Sequence, residues 1–545
     1  MQETEKVVSR PLDAAIQIVH GPRIVTLTQD APEGIAFLAG RIVDTGGLAE
    51  LTARFPDAET THVDGALLVP GFNDAHLHPF FAAEPQLRVD LGPGPAPSAE
   101  AALAVLRTKA RDTPPGQWVV GVGYDVVHST GMKLDRKSLD AVSSDHPIYV
   151  IGSTWHTAVA NSAALDEILP DSDPDSYAGG VFTRDTDGAL DGWLHEAPHM
   201  RVAWAGSGQR PLLPALPTAI MVDALESQNS YLNAQGITSY TDALVTPEIW
   251  AAYDQARRDG RLTTRVSMAV WHTYRDLVTS LGMSSGFGDE WLRLIGVKFM
   301  YDGALSGGTC LCAEPYESTT GTGNGIRVLG PADLTEAVVD LHTRGIRVCI
   351  HANGDAAIGE VLDAIEAAQL ERPAVSVNHR IEHCSILDDR LIKRIAAAGV
   401  TPVPFGGFVS HHGDELLRLY GPERAAQVAR HRSLLDAGVT VAGSSDYPCG
   451  PASVLSAIQS LTTRATSTGQ VIGPAERLSV EDALRVYTSG SAAATGEELV
   501  KGRLAPGYLA DFTVLSRDIF EVDPTEIRDV EIVSTWVGGE RVWHR

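Results

Sequence analysis

The sequence is poor in cysteine, in basic charge and in long apolar runs, and each shortage excludes something. Five cysteines among 545 residues (Cys310, Cys312, Cys349, Cys384 and Cys449) are too sparse, and odd in number, for a disulfide framework. Reduced thiols are the expected state. No apolar run is long enough to span a bilayer, and the opening MQETEKVVSR lacks the charged-then-apolar pattern of a secretory leader. A cytoplasmic protein with no membrane partner is therefore expected. Lys and Arg number 43 against 69 Asp and Glu, a formal charge of -26 that repels phosphate backbones and leaves no basic stripe for nucleic acid.

What is present is enough apolar material, 44% of residues, to bury a large core and build more than one compact unit. Before Val69 and again after about residue 495, short β-branched pieces alternate with Gly, Pro and Asp turns, as in AAIQIVHGPRIVTLT and LADFTVLSRD. Both ends are expected to pair into one composite β-sandwich, residues 1–68 with 495–545. Between them eight apolar runs recur, at 67–78, 236–243, 263–272, 294–303, 345–355, 376–384, 399–406 and 438–448, with amphipathic helical stretches between the later ones. Continuous apolar strands alternating with helices, eight in number, predict an α/β fold of the (β/α)₈ TIM-like barrel type over 69–494. The long gap after the first run, about 85–230, predicts an insertion over the catalytic face.

The first run ends in VPGFNDAHLH. Side chains alternate along a strand, so His76 and His78 share a face and both imidazoles reach one cation. Alone the pair is ambiguous, because H-x-H also arises by chance. Ionisable residues also close other runs: Lys298 in VKFMYDG, His351 in CIHANGD, His383 in RIEHC and Asp446 in GSSDYP. In a parallel barrel these C-terminal strand ends converge on one mouth.

PGFNDAHLH, WVVGVGYD, HTAVANSAAL, DGWLHEAP, GVKFMYDGAL, IHANGD, RIEHC, RSLLDAGVTVAGSSDYP and GRLAPGYLADFTVL follow one another in an order that resembles the amidohydrolase superfamily. The closest likeness is to its amidohydrolase-3 (YtcJ-like) branch, and the chain is similar to the N-substituted formamide deformylases. The resemblance implies a binuclear centre of two divalent metal ions, zinc being the expected ion. His76, His78 and Asp446 would hold the first ion, His351 and His383 the second, and an N-carboxylated Lys298 would bridge both. A carbamate is needed for that, since a free ammonium has no lone pair to offer. The implied reaction is hydrolysis of a C–N bond in an N-acyl or N-formyl amide by a metal-activated hydroxide, with Asp446 moving the proton. His156 is implied as a second catalytic group, polarising the scissile carbonyl, and Tyr124, Asp125, His156, Asn161 and Glu196 as residues contacting the substrate.

Each residue also has a plainer reading. Lys298 could pair with Asp302, Asp446 could be a turn residue, Glu196 a solvated loop acid, His156 a helix-flanking histidine and Asn161 a helix cap. Cys310 and Cys312 lack zinc-site spacing and read as buried thiols. Glu382, next to His383, is expected on the opposite strand face. The stretch VPFGGFVS before His411 and His412 departs from the branch's usual pattern and leaves one wall of the site open. A cyclic-amide hydrolase or deaminase on the same barrel, and a non-catalytic metal-binding protein, are the alternative functions. The lysine at strand four argues against the one-metal deaminase. The expected partner is a small-molecule amide, and a homodimer is a compatible assembly.

Overall fold

Runs that are apolar on both faces must be covered on both faces, and this requirement organises the fold. The computed structural model describes residues 15–125, 132–170, 173–205, 211–316 and 323–545, so the opening MQETEKVVSR lies outside the described residues. Seven parallel strands form a nearly closed sheet: β1 (Phe72–Leu77), β2 (Ile237–Val245), β3 (Arg265–Trp271), β4 (Leu292–Met300), β5 (Val348–Ala352), β6 (Arg380–His383) and β7 (Thr401–Val403), adjacent in that order. The eighth run forms no regular strand. It nevertheless bonds to both edges: Ala442 N–H donates to Pro402 O and Gly406 N–H to Ser444 O on one side, Ala75 N–H to Gly443 O and Asp446 N–H to His76 O on the other. β7 is short for a chemical reason, since Pro402 and Pro404 have no N–H to give a ladder.

Helices cover the outer face. The helix Asp389–Ala398 illustrates how the sequence builds them: Asp388 caps it by accepting from Leu391 N–H at 2.7 Å, and Gly399 ends it at φ 61°, a conformation glycine adopts without a Cβ clash. Its Leu391, Ile392 and Ile395 are buried against the barrel. Each such side chain contributes roughly 1.5–3 kcal/mol.

Between β1 and β2 the chain builds a separate six-stranded mixed sheet, from Val89–Asp90 to Leu190–Glu196, with its own apolar clusters. Near the termini, Leu67–Pro70 pairs antiparallel with Phe512–Leu515, which continues to Ile532–Val537 and Glu540–His544. Val19, Phe37, Leu68, Phe512 and Trp536 share one core, so residues from both ends of the sequence are buried together. Among the described residues no helix is long and apolar enough to cross a membrane.

Candidate metal centre

β1 delivers His76 and His78 to the barrel mouth, and the eighth run brings Asp446 across from the opposite edge. Nε2 of His76 lies 3.3 Å from Nε2 of His78, and Asp446 Oδ1 lies 3.5 Å from each. Ligands about 2.0–2.1 Å from a tetrahedral ion stand about 3.3 Å apart, so these atoms form one face of such a site. Among the described residues this is the set of three side chains whose donor atoms could hold one ion.

The atoms behind them fit the same use. His76 Nδ1 lies 2.5 Å from Glu382 Oε2, and His78 Nδ1, buried and otherwise without a hydrogen bond, faces Asp242 Oδ1 at 4.0 Å. On His76 the carboxylate at Nδ1 keeps the proton there and leaves the Nε2 lone pair for a cation. Burial holds His76, His351 and His383 well below the usual imidazole range, so they are neutral donors at pH 7.

His351 and His383 come from β5 and β6, their rings 4.5 Å apart, and the His383 ring lies 4.7 Å from that of His76. His351 Nε2 faces the acceptors Gly303 O at 3.1 Å and Asp302 Oδ1 at 3.4 Å and the donor amide of Asn353 at 3.0 Å. Asp302 also accepts from the backbone N–H groups of Leu311, Asn353 and Gly354, and burial pushes its carboxyl up to about 7. It ties the loops after β4 and β5 together. Lys298 is 2% exposed and, among the described residues, makes no ion pair with Asp302 or any other acid. Burial lowers its ammonium from the ordinary range, which favours the neutral amine that carbamate formation requires.

Glu382 departs from the sequence expectation. It points into the barrel, bonded to His76 and, through both oxygens, to the fully buried Arg380. Strand alternation fails here because His383 and Cys384 adopt left-handed φ of 66° and 44°, so consecutive residues Glu382 and His383 both serve the site. Glu382→Gln keeps the shape but weakens the hold on His76, and we expect divalent-metal affinity, measured by chelator competition, to fall about 10- to 100-fold. Unchanged affinity would leave Glu382 as a partner of Arg380 alone.

The insertion supplies the groups above the ligands. Its sheet places His156 beside Glu196, with Glu196 N–H donating to His156 O and His156 Nδ1 2.8 Å from Glu196 Oε2. Glu196 is buried at φ 59° and also accepts from Thr309 Oγ1. A Cβ on Gly303 would stand 2.7 Å from Glu196 Oε1, so the acid approaches the mouth only because that position is glycine. The His156 ring is 5.4 Å from that of His351. Burial alone would lower the His156 pKa, but the charge and hydrogen bond of Glu196 outweigh it and raise the value. The protonated form thus persists to higher pH, and Glu196→Gln should move the alkaline limb of the kcat/KM profile to lower pH. A limb that stays in place would detach His156 from the reaction.

Tyr124 and Asn161 are engaged within the insertion itself. Tyr124 is buried in the insertion core with Leu106, Ile148 and Trp193, and Asp125 follows it half-buried at the strand end. Asn161 caps the helix Ser162–Ile168, and its amide is fully used: Oδ1 accepts from Ile148 and Ala164 N–H, and Nδ2 donates to Ser143 O and His146 O. No capacity remains for a substrate. Asn161→Ala should cost about 2 kcal/mol or more in thermal or urea unfolding and leave kcat/KM within about twofold. Cys310 and Cys312 are buried thiols with sulfurs 3.7 Å apart, beside Tyr316 and Tyr420.

Asp242, Arg380 and Thr309 join the site without a sequence expectation, and Asp302, expected only as a partner for Lys298, instead faces His351. Arg380 and Glu382, complementary charges two apart on an apolar strand, carried a readable signal of an internal ion pair. The others are visible only once loops meet.

Fold and site together define a metal-dependent hydrolase. The model of the amidohydrolase family matches residues 61–543, and the chain belongs to that family. It is 30% identical to the amidohydrolase-like protein YtcJ of Bacillus subtilis (strain 168), over 97% of this chain and 99% of that one. It is also 30% identical to an N-substituted formamide deformylase of Arthrobacter pascens, over 95% and 96%. Among solved structures, a metal-dependent hydrolase from Pyrococcus furiosus is 25% identical with a TM-score of 0.71, over 93% of this chain and all of that one.

Proposed function

We propose that the protein hydrolyses the C–N bond of an N-acyl or N-formyl amide, using two divalent ions and a carbamate on Lys298 between them. The observation that carries this is the triangle of His76, His78 and Asp446 donor atoms, with neutral His351 and His383 beside it and the buried Lys298, which forms no ion pair among the described residues. The likeness to a formamide deformylase supports the amide class.

Divalent ions bound there would make hydroxide available near neutral pH and polarise the substrate carbonyl. Asp446 performs the proton transfers. Burial alone raises its pKa, but the hydrogen bond to His78 and the nearby His76 bring it below the usual carboxylate range, so it is ionised and has a free oxygen lone pair to take a proton. Its side chain keeps 19% of its surface open at the mouth, where a water and a leaving nitrogen would meet it. It takes the proton from the water as oxygen bonds to the carbonyl carbon, and gives it to nitrogen as the C–N bond breaks. His156, held protonated by Glu196, donates a hydrogen bond to the carbonyl oxygen as negative charge develops there.

The test is a panel of N-formyl amines, N-acetyl amines, imides and lactams, with amine and acid quantified separately. Equal release of amine and acid from open-chain amides is expected. Turnover confined to the imides and lactams would replace this reading with ring opening.

A further inference from the structure

Beside the metal centre, on the β2 and β3 side of the mouth, lies a cavity of about 900 Å³. None of the six proposed ligands lines it. It touches the centre through two pairs of residues. Phe81 lines it and stacks on His78, ring centroids 4.7 Å apart and nearly parallel; Trp155 lines it too, and the next residue is His156. Trp155 is held at φ 61°, an uncommon conformation for a tryptophan, which sets its ring in the cavity wall while His156 reaches Glu196 at the mouth. Phe81 further stacks on Trp155 at 4.2 Å and on Trp204 at 5.4 Å, so the wall is a layer of aromatic rings.

The rest of the lining sets the chemistry of an occupant. Leu213, Met221 and Leu277 extend the apolar surface. The charged members are Glu84, Glu248, Asp276 and Arg88, and Arg88 is already taken by Glu84 and by Pro214 O. The described lining therefore offers no unpaired cation, and two acids stand without one. A carboxylate entering here would meet like charge and lose its hydration without a partner. A neutral apolar group gains contact with the aromatic and aliphatic walls, and the volume is that of a small-molecule site.

We propose that this cavity is the subsite for the larger substituent of the scissile amide, and that the substituent is uncharged and apolar, so that amides carrying a free carboxylate are rejected. The assignment rests on the amide-hydrolase reading for what reacts at the mouth, but its binding arm does not. Straight-chain alcohols have no hydrolysable bond. Titrated into the metal-loaded protein and followed by tryptophan fluorescence, they should bind about fourfold tighter per added methylene. Leu213→Asp, in an irregular segment, should flatten that dependence. In parallel, kcat/KM for N-alkyl formamides should rise with chain length and drop at least about tenfold when the chain ends in a carboxylate. A binding slope without hydrolysis would sink the amidase reading and keep the subsite. Hydrolysis with no chain-length dependence in either arm, or equal turnover of the carboxylate-bearing amides, would overturn the subsite.

Discussion

Asp446→Asn lowers kcat by about 10² to 10⁴ while leaving most bound metal in place. The magnitude is that of general acid–base catalysis, and this one carboxylate is proposed to act in both directions. Asparagine keeps the shape and one oxygen facing His76 and His78; His76 is held by Glu382 and His78 stacks on Phe81, so neither depends on Asp446 alone for its position. KM moves less, because the substituent is held in the neighbouring cavity and the carbonyl at the mouth. Steady-state kinetics on protein of known metal content measures the effect. A variant within tenfold of the parent kcat would remove Asp446 as the proton carrier and turn attention to Glu196.

Lys298→Ala loses metal and activity together. The side chain is buried, and among the described residues it forms no ion pair that its loss would break, so a purely structural lysine is a poor account of it. Removing a bridging ligand takes one donor from each ion at once, and the remaining histidines and Asp446 cannot replace it. Short carboxylic acids fit the vacated space and supply two oxygens, so formate or acetate should restore part of both metal content and turnover. Full metal content in the variant would show that the lysine does not bridge.

The sequence made the barrel legible because parallel strands buried on both faces read as unbroken apolar runs, and an ionisable residue closing such a run stands out. His76, His78, Lys298, His351, His383 and Asp446 stand out that way, and the structure brings the donor atoms of His76, His78 and Asp446 together. Glu382 was misplaced because the period-two rule assumes extended φ, and nothing in RIEHC announces that His383 and Cys384 turn left-handed. Asn161 resembles a substrate residue by family likeness, but its competing reading as a helix cap accounts for the bond from Ala164, and its other three bonds tie that cap to Ser143, His146 and Ile148. The aromatic cavity was not legible at all. Its walls come from the segment after β1, the insertion and the ends of β2 and β3, and the spacing of Phe81, Trp155, Trp204 and Leu213 along the chain carries no period.

Elemental analysis of the purified protein tests the central claim most directly. Six donors, with Lys298 as a carbamate, suffice for two sites, so the account predicts about two divalent ions per chain. A reproducible value near one in fully active protein would contradict it and restore a mononuclear centre at His76, His78 and Asp446.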